Sequence, residues 1–109
     1  MRRLPALLLA AVLAPAALAQ SAPDGARRRE LVHMVRQDCG SCHGMHLTGG
    51  LGPALDAARL AQCPLETLVA TIRRGRPGTP MAGWAPLLTQ DETAWIADQL
   101  QRGFPEEAP

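Results

Sequence analysis

The stretch DCGSCHGMH, Asp38–His46, sets two cysteines three positions apart, a histidine directly after the second, and a methionine and another histidine within three residues of that. Cysteine pairs at this spacing form a redox disulfide, supply half of a zinc site or attach a haem. Each use needs its own compartment and its own remote residues, so the rest of the chain must choose.

The N-terminus speaks for the compartment. Arg2 and Arg3 precede an apolar run from Leu4 to Ala19 that closes on Ala17-Leu18-Ala19, the small-x-small pattern of a secretory signal peptide over residues 1–19. A membrane anchor is the alternative, but these 16 residues, interrupted by Pro15, fall short of the roughly 17–25 of a spanning helix. Cleavage after Ala19 leaves 90 residues, Gln20–Pro109, that are expected in the periplasm. All 11 basic residues are arginine; removing Arg2 and Arg3 leaves nine against ten carboxylates, a formal charge of −1. That balance gives no field for nucleic acid.

Ninety residues make one small domain, in which only about 60% of the unfolded surface is buried. Its aromatics are Trp84, Trp95 and Phe104, so a large flat cofactor would supply apolar bulk that the side chains lack. The expected organisation is a flexible leader over 20–26, a domain over 27–104 and an acidic, proline-bounded tail over 105–109, with both ends loose. The domain pattern is all-α. Asp24 can cap a helix running to about Asp38, with Leu31, Val32 and Val35 on one stripe, which puts the cysteine pair at a helix end. Pro64 suits a first helical position, Leu65, Leu68, Val69 and Ile72 follow at helical spacing, and Gly75 offers a left-handed stop. Thr89-Gln90-Asp91-Glu92 is a capping box for a last helix that turns Trp95, Ile96 and Leu100 inward and ends before Gly103. Residues 44–53 and 76–86, rich in glycine or proline, read as loops.

A zinc site requires four ligands, and the one other cysteine is Cys63. A thioredoxin-like site requires a strand before it and a sheet around it, which an all-helical chain does not offer. In C-x-x-C-H each part has work: Cys39 and Cys42 add to two haem vinyl groups as thioethers, and His43 reaches the iron. For the opposite axial position, Met45 and His46 follow too closely to pass around the macrocycle edge at about 3.3–3.6 Å per residue. His33 and Met34 approach from the same side and read as packing or surface residues. Met81 lies far along the chain in GRPGTPMAGWAP, where Pro77, Pro80 and Pro86 forbid a helix and stiffen the loop. It is either the second ligand or a filler of the core.

From Asp38 to the last helix the chain resembles a class I cytochrome c: a first helix ending in C-x-x-C-H, a Gly-Pro loop, a methionine loop and a C-terminal helix. The resemblance implies about three main helices with long Gly/Pro loops wrapped around one covalent haem c and its iron. It makes Cys39 and Cys42 the anchors, His43 the proximal ligand and Met81 the distal one. It also gives Pro53, in GLGPAL, the carbonyl that accepts the proximal histidine's other ring proton, and it brings Leu31 and Val35 near Trp95 and Ile96. Trp84 then packs on the haem or donates to a propionate, with ordinary loop packing as the alternative.

More narrowly, CGSCHGM…GGLGPAL with GRPGTPM…W resembles the short monohaem cytochromes found with the dissimilatory nitrite reductase of denitrifying bacteria. That likeness implies a monomeric one-electron carrier whose partners are redox proteins, the nitrite reductase among them, and no enzyme. Two other classes suit the same residues: a gas-binding haem with a displaceable Met81, and an assembly factor for the reductase. Cys63 departs from the pattern and reads as a small buried hydrophobe, with an intermolecular disulfide as the alternative. Arg73, Arg74 and Arg76, just ahead of Met81, read either as a docking patch or as a solvated helix end whose charges complement the dipole.

Overall fold

The computed structural model describes residues 21–109, and the signal-peptide reading of residues 1–19 lies outside them. Among the described residues every regular element is helical: α1 Gly25–Met34, a π-helical turn Val35–Cys39, α2 Gly40–His43, α3 Ala57–Leu60, α4 Leu65–Arg74 and α5 Gln90–Arg102. No helix among them is long and apolar enough to cross a membrane.

Asp24 opens α1 as expected, its carboxylate accepting from the Arg27 amide at 2.8 Å. The helix does not stop near Asp38. It passes through the π turn into α2, with the Gly40 amide reaching back to the Val35 carbonyl. A π turn carries an extra residue, so it rotates the face of the helix beyond it. Leu31 and Val32 are buried in α1 and Val35 and Arg36 in the turn itself; Cys39 closes the turn and Cys42 lies in α2, at the end of the helical run.

Pro64 is the cap of α4 rather than its first residue, its carbonyl accepting from the Thr67 and Leu68 amides. Gly75 ends α4 at φ 69°, a conformation that favours glycine. Both halves of the Thr89/Glu92 capping box are formed, and α5 buries Trp95, Ile96 and Leu100. The short α3 has no periodic signal, but Asp56 caps it through the Arg59 amide at 2.9 Å.

The core joins Leu31, Val32 and Val35 with Leu47, Leu60, Leu88, Trp95, Ile96, Leu100 and Phe104. The first helical run and α5 are therefore packed together, as the resemblance implies, and Trp95 meets Phe104 edge to face at 6.1 Å. The tail expected to be loose is held to the first helical run through residues 105–107. Arg36, 5% exposed, donates to the carbonyls of Phe104 and Pro105 and pairs with Glu106 at 3.1 Å, while Glu107 reaches His33 and Gln37. A buried guanidinium needs such partners, and the tail supplies them.

Candidate functional site

Two loops, each tied to the C-terminal end of a helix, carry the residues singled out in the sequence. The last carbonyls of a helix lack partners within it, and here loop amides fill that need. At the end of α2, the Cys42 carbonyl accepts from the Gly52 amide at 2.7 Å and the His43 carbonyl from the Gly49 amide at 2.8 Å. The loop returns so closely that a Cβ on Gly50 would fall 2.8 Å from the Cys42 oxygen.

This return places Pro53 beside His43: the ring Nδ1 stands 2.7 Å from the Pro53 carbonyl oxygen. A carbonyl only accepts, so Nδ1 carries a proton, and in the neutral ring Nε2 keeps its lone pair. A Cβ on Gly52 would lie 2.8 Å from both Cε1 and Nδ1 of the same ring. Glycine there is what lets the backbone lie against the imidazole. Cys39 and Cys42 are free and half-buried, three residues apart on one helical run. Burial pushes the Cys39 thiol up to about 11, with the Asp38 carboxylate adding to the effect. A thiol held protonated at neutral pH is the reverse of the low-pKa cysteine of a disulfide oxidoreductase.

The second loop leaves α4 at Gly75. Its Trp84 amide donates to the Ile72 carbonyl at 2.9 Å and its Ala85 amide to the Arg73 carbonyl at 3.2 Å. Met81 is fixed from both sides, its carbonyl accepting from the Arg76 amide at 3.0 Å and its amide donating to Thr79 Oγ1 at 3.3 Å. A side chain on Gly75 would collide with the Met81 carbonyl. Met81 is half-buried, and Trp84, also half-buried, packs against the main core.

Met45 and His46 are exposed beside the cysteine pair, His33 is exposed on α1, and Met34 packs against the core. Cys63 is half-buried, its carbonyl held by the Gln101 amide group at 2.6 Å. Arg73, read from sequence as part of a docking patch or of a solvated helix end, instead turns inward: its Nη1 donates to the Leu88 carbonyl at 3.0 Å and to Thr93 Oγ1 at 3.1 Å. Arg74 and Arg76 are exposed.

These residues fit one haem c. Two unpaired thiols stand at thioether spacing, an imidazole beside them presents a free Nε2, and a thioether is held in a braced loop. Among the described residues no group of three or more His, Cys, Asp or Glu side chains is placed to hold a metal ion. Sequence reasoning missed the glycine contacts around His43 and the inward Arg73; for the former the signal was the glycine density of GGLG.

The family model described as cytochrome C oxidase, cbb3-type, subunit III matches residues 26–99. Cytochrome c55X of Paracoccus denitrificans is 56% identical over 93 residues, covering 85% of this chain and 89% of that protein. Cytochrome c55X of Pseudomonas aeruginosa is 54% identical over 86 residues, covering 79% of this chain and 72% of that one. Among solved structures, the c-type cytochrome NirC superposes with a TM-score of 0.71 at 54% identity, over 73% of this chain and 94% of the other.

Proposed function

The chain belongs to the c-type cytochromes, with cytochrome c55X as its near kin, and from that premise we propose that it carries single electrons. One haem c is bound through Cys39 and Cys42, with His43 as proximal ligand and Met81 as distal ligand. The observation that carries this reading is the 2.7 Å contact between His43 Nδ1 and the Pro53 carbonyl, which frees Nε2 next to the cysteine pair.

Held by Cys39, Cys42, His43 and Met81, the haem would supply a one-electron iron couple, with a potential raised by His/Met donors. The protein's part is to hold the donors still. Donation from Nδ1 to Pro53 fixes the ring's tautomer and orientation and makes Nε2 more basic. At Gly52 the backbone lies against the ring's flank, where a side chain would strike the imidazole. The bonds from the Arg76 amide to Met81 and from Met81 to Thr79 keep the thioether's backbone from swinging away.

The periplasm is the proposed compartment, on the strength of the signal-like residues 1–19. A denitrification nitrite-reductase system is the proposed setting, on the strength of the likeness in CGSCHGM…GGLGPAL and GRPGTPM…W, with the protein acting as a monomer. A denaturing gel stained for haem tests attachment. Wild type should retain covalent haem, and the variant with both Cys39→Ala and Cys42→Ala should lose it. Retention by that double variant would refute the assignment.

A further inference from the structure

Arg73 sits one residue before the end of α4 and is bonded where a docking charge would not be. Its Nη1 donates to the carbonyl of Leu88, a residue 6% exposed, and to Oγ1 of Thr93, which is 0% exposed. Thr93 spends its own proton on the Thr89 carbonyl at 2.8 Å, so it meets Arg73 only as an acceptor. The Arg73 carbonyl takes the Ala85 amide, and a Cβ on Gly83 would lie 2.5 Å from that same oxygen. Among the described residues no carboxylate lies within ion-pair distance of Arg73. Its charge is thus spent on two neutral acceptors, one at the exit of the Met81 loop and one in the first turn of α5.

We infer that Arg73 is a positioning residue for the Met81 thioether. Resting on the reading of Met81 as distal ligand, the inference gives the loop a base: main chain at Ala85, side chain at Leu88 and Thr93, all from one residue of α4. With the side-chain bonds gone, the exit of the loop is held to α4 by the main-chain bonds at Ile72 and Arg73 alone, and Met81 yields the iron more readily to an added ligand. The apparent affinity of a competitor scales with the fraction of molecules in which Met81 is off.

The test is imidazole binding to the oxidised holoprotein, followed by its visible spectrum, in wild type, Arg73→Gln, Arg73→Lys, Thr93→Val and Met81→Ala. Arg73→Gln should bind imidazole about tenfold more tightly than wild type. Arg73→Lys, which keeps a charged donor, should recover most of the wild-type value, and Thr93→Val, which removes one acceptor and leaves the charge, should lie between. Amide exchange at Trp84 and Ala85 should quicken in Arg73→Gln while Gly49 and Gly52, in the other loop, keep their rates. If Arg73→Gln and Thr93→Val bind imidazole as wild type does and Met81→Ala binds it more tightly, the role of Arg73 is overturned even should either variant be less stable, and Met81 stands. Equal affinity in wild type and Met81→Ala would instead overturn the Met81 reading, and this inference with it.

Discussion

At His43 a single hydrogen bond decides which ring nitrogen is free, and a residue with no side chain decides how much room the ring has. Both lie within ten positions of the histidine, in the loop that closes on α2. Because the would-be Cβ of Gly52 sits 2.8 Å from two ring atoms, Gly52→Ala must push the imidazole or the loop aside. Overpacking of this kind costs about 1–3 kcal/mol. Denaturant unfolding of the holoprotein should register that loss, and a variant within about 0.3 kcal/mol of wild type would show that the close approach is not a constraint. The roles proposed for the two cysteines and the histidine could be assigned from sequence because C-x-x-C-H behind a signal-like N-terminus is a local pattern with one chemical reading. Pro53 was reachable only through family likeness. Gly52 was not singled out, since nothing in a run of glycines says which of them touches a ring.

The helices show the same division between local and distant causes. α5 could be read from its first four residues, because a capping box completes itself within one turn, and α4 from its apolar spacing. The π turn at 35–39 and the four-residue α3 could not, since neither leaves a periodic trace. Arg36 and Arg73 were unreadable for another reason: their acceptors lie 68–69 and 15–20 positions away. At the start of α5, the Arg27 guanidinium donates to Glu92 at 2.6 Å and, with the Thr89 amide next in strength, holds the Glu92 carboxyl below its usual range. A carboxyl with a depressed folded pKa stabilises the fold above its unfolded value of about 4.3, and that contribution is lost as pH falls through the folded value. Glu92→Gln keeps a capping acceptor and removes the charge. It should cost about 0.5–1 kcal/mol at pH 7, and the gap to wild type should close in acid. A gap that is unchanged at both pH values would mean the pairing with Arg27 contributes nothing.

Across the whole molecule, formal charge is near balance, so long-range attraction to a partner must come from local patches. With Arg73 turned inward, the exposed charges just ahead of Met81 are Arg74 and Arg76. If they steer docking, Arg74→Gln with Arg76→Gln should slow second-order electron transfer to a nitrite-reductase partner about tenfold at low salt. The two proteins should converge as the screening length falls from about 10 Å at 0.1 M to about 3 Å at 1 M. Equal rates and equal salt slopes would remove the patch and leave the proposed electron-transfer function standing. The proposed carrier function requires both iron faces to be held by the protein, and carbon monoxide tests that requirement most directly. The reduced wild type should show no change in its visible spectrum under carbon monoxide, and Met81→Ala should show a clear one. A wild type that takes up carbon monoxide as readily as Met81→Ala would contradict the account and make the protein a ligand-binding haem protein rather than a carrier.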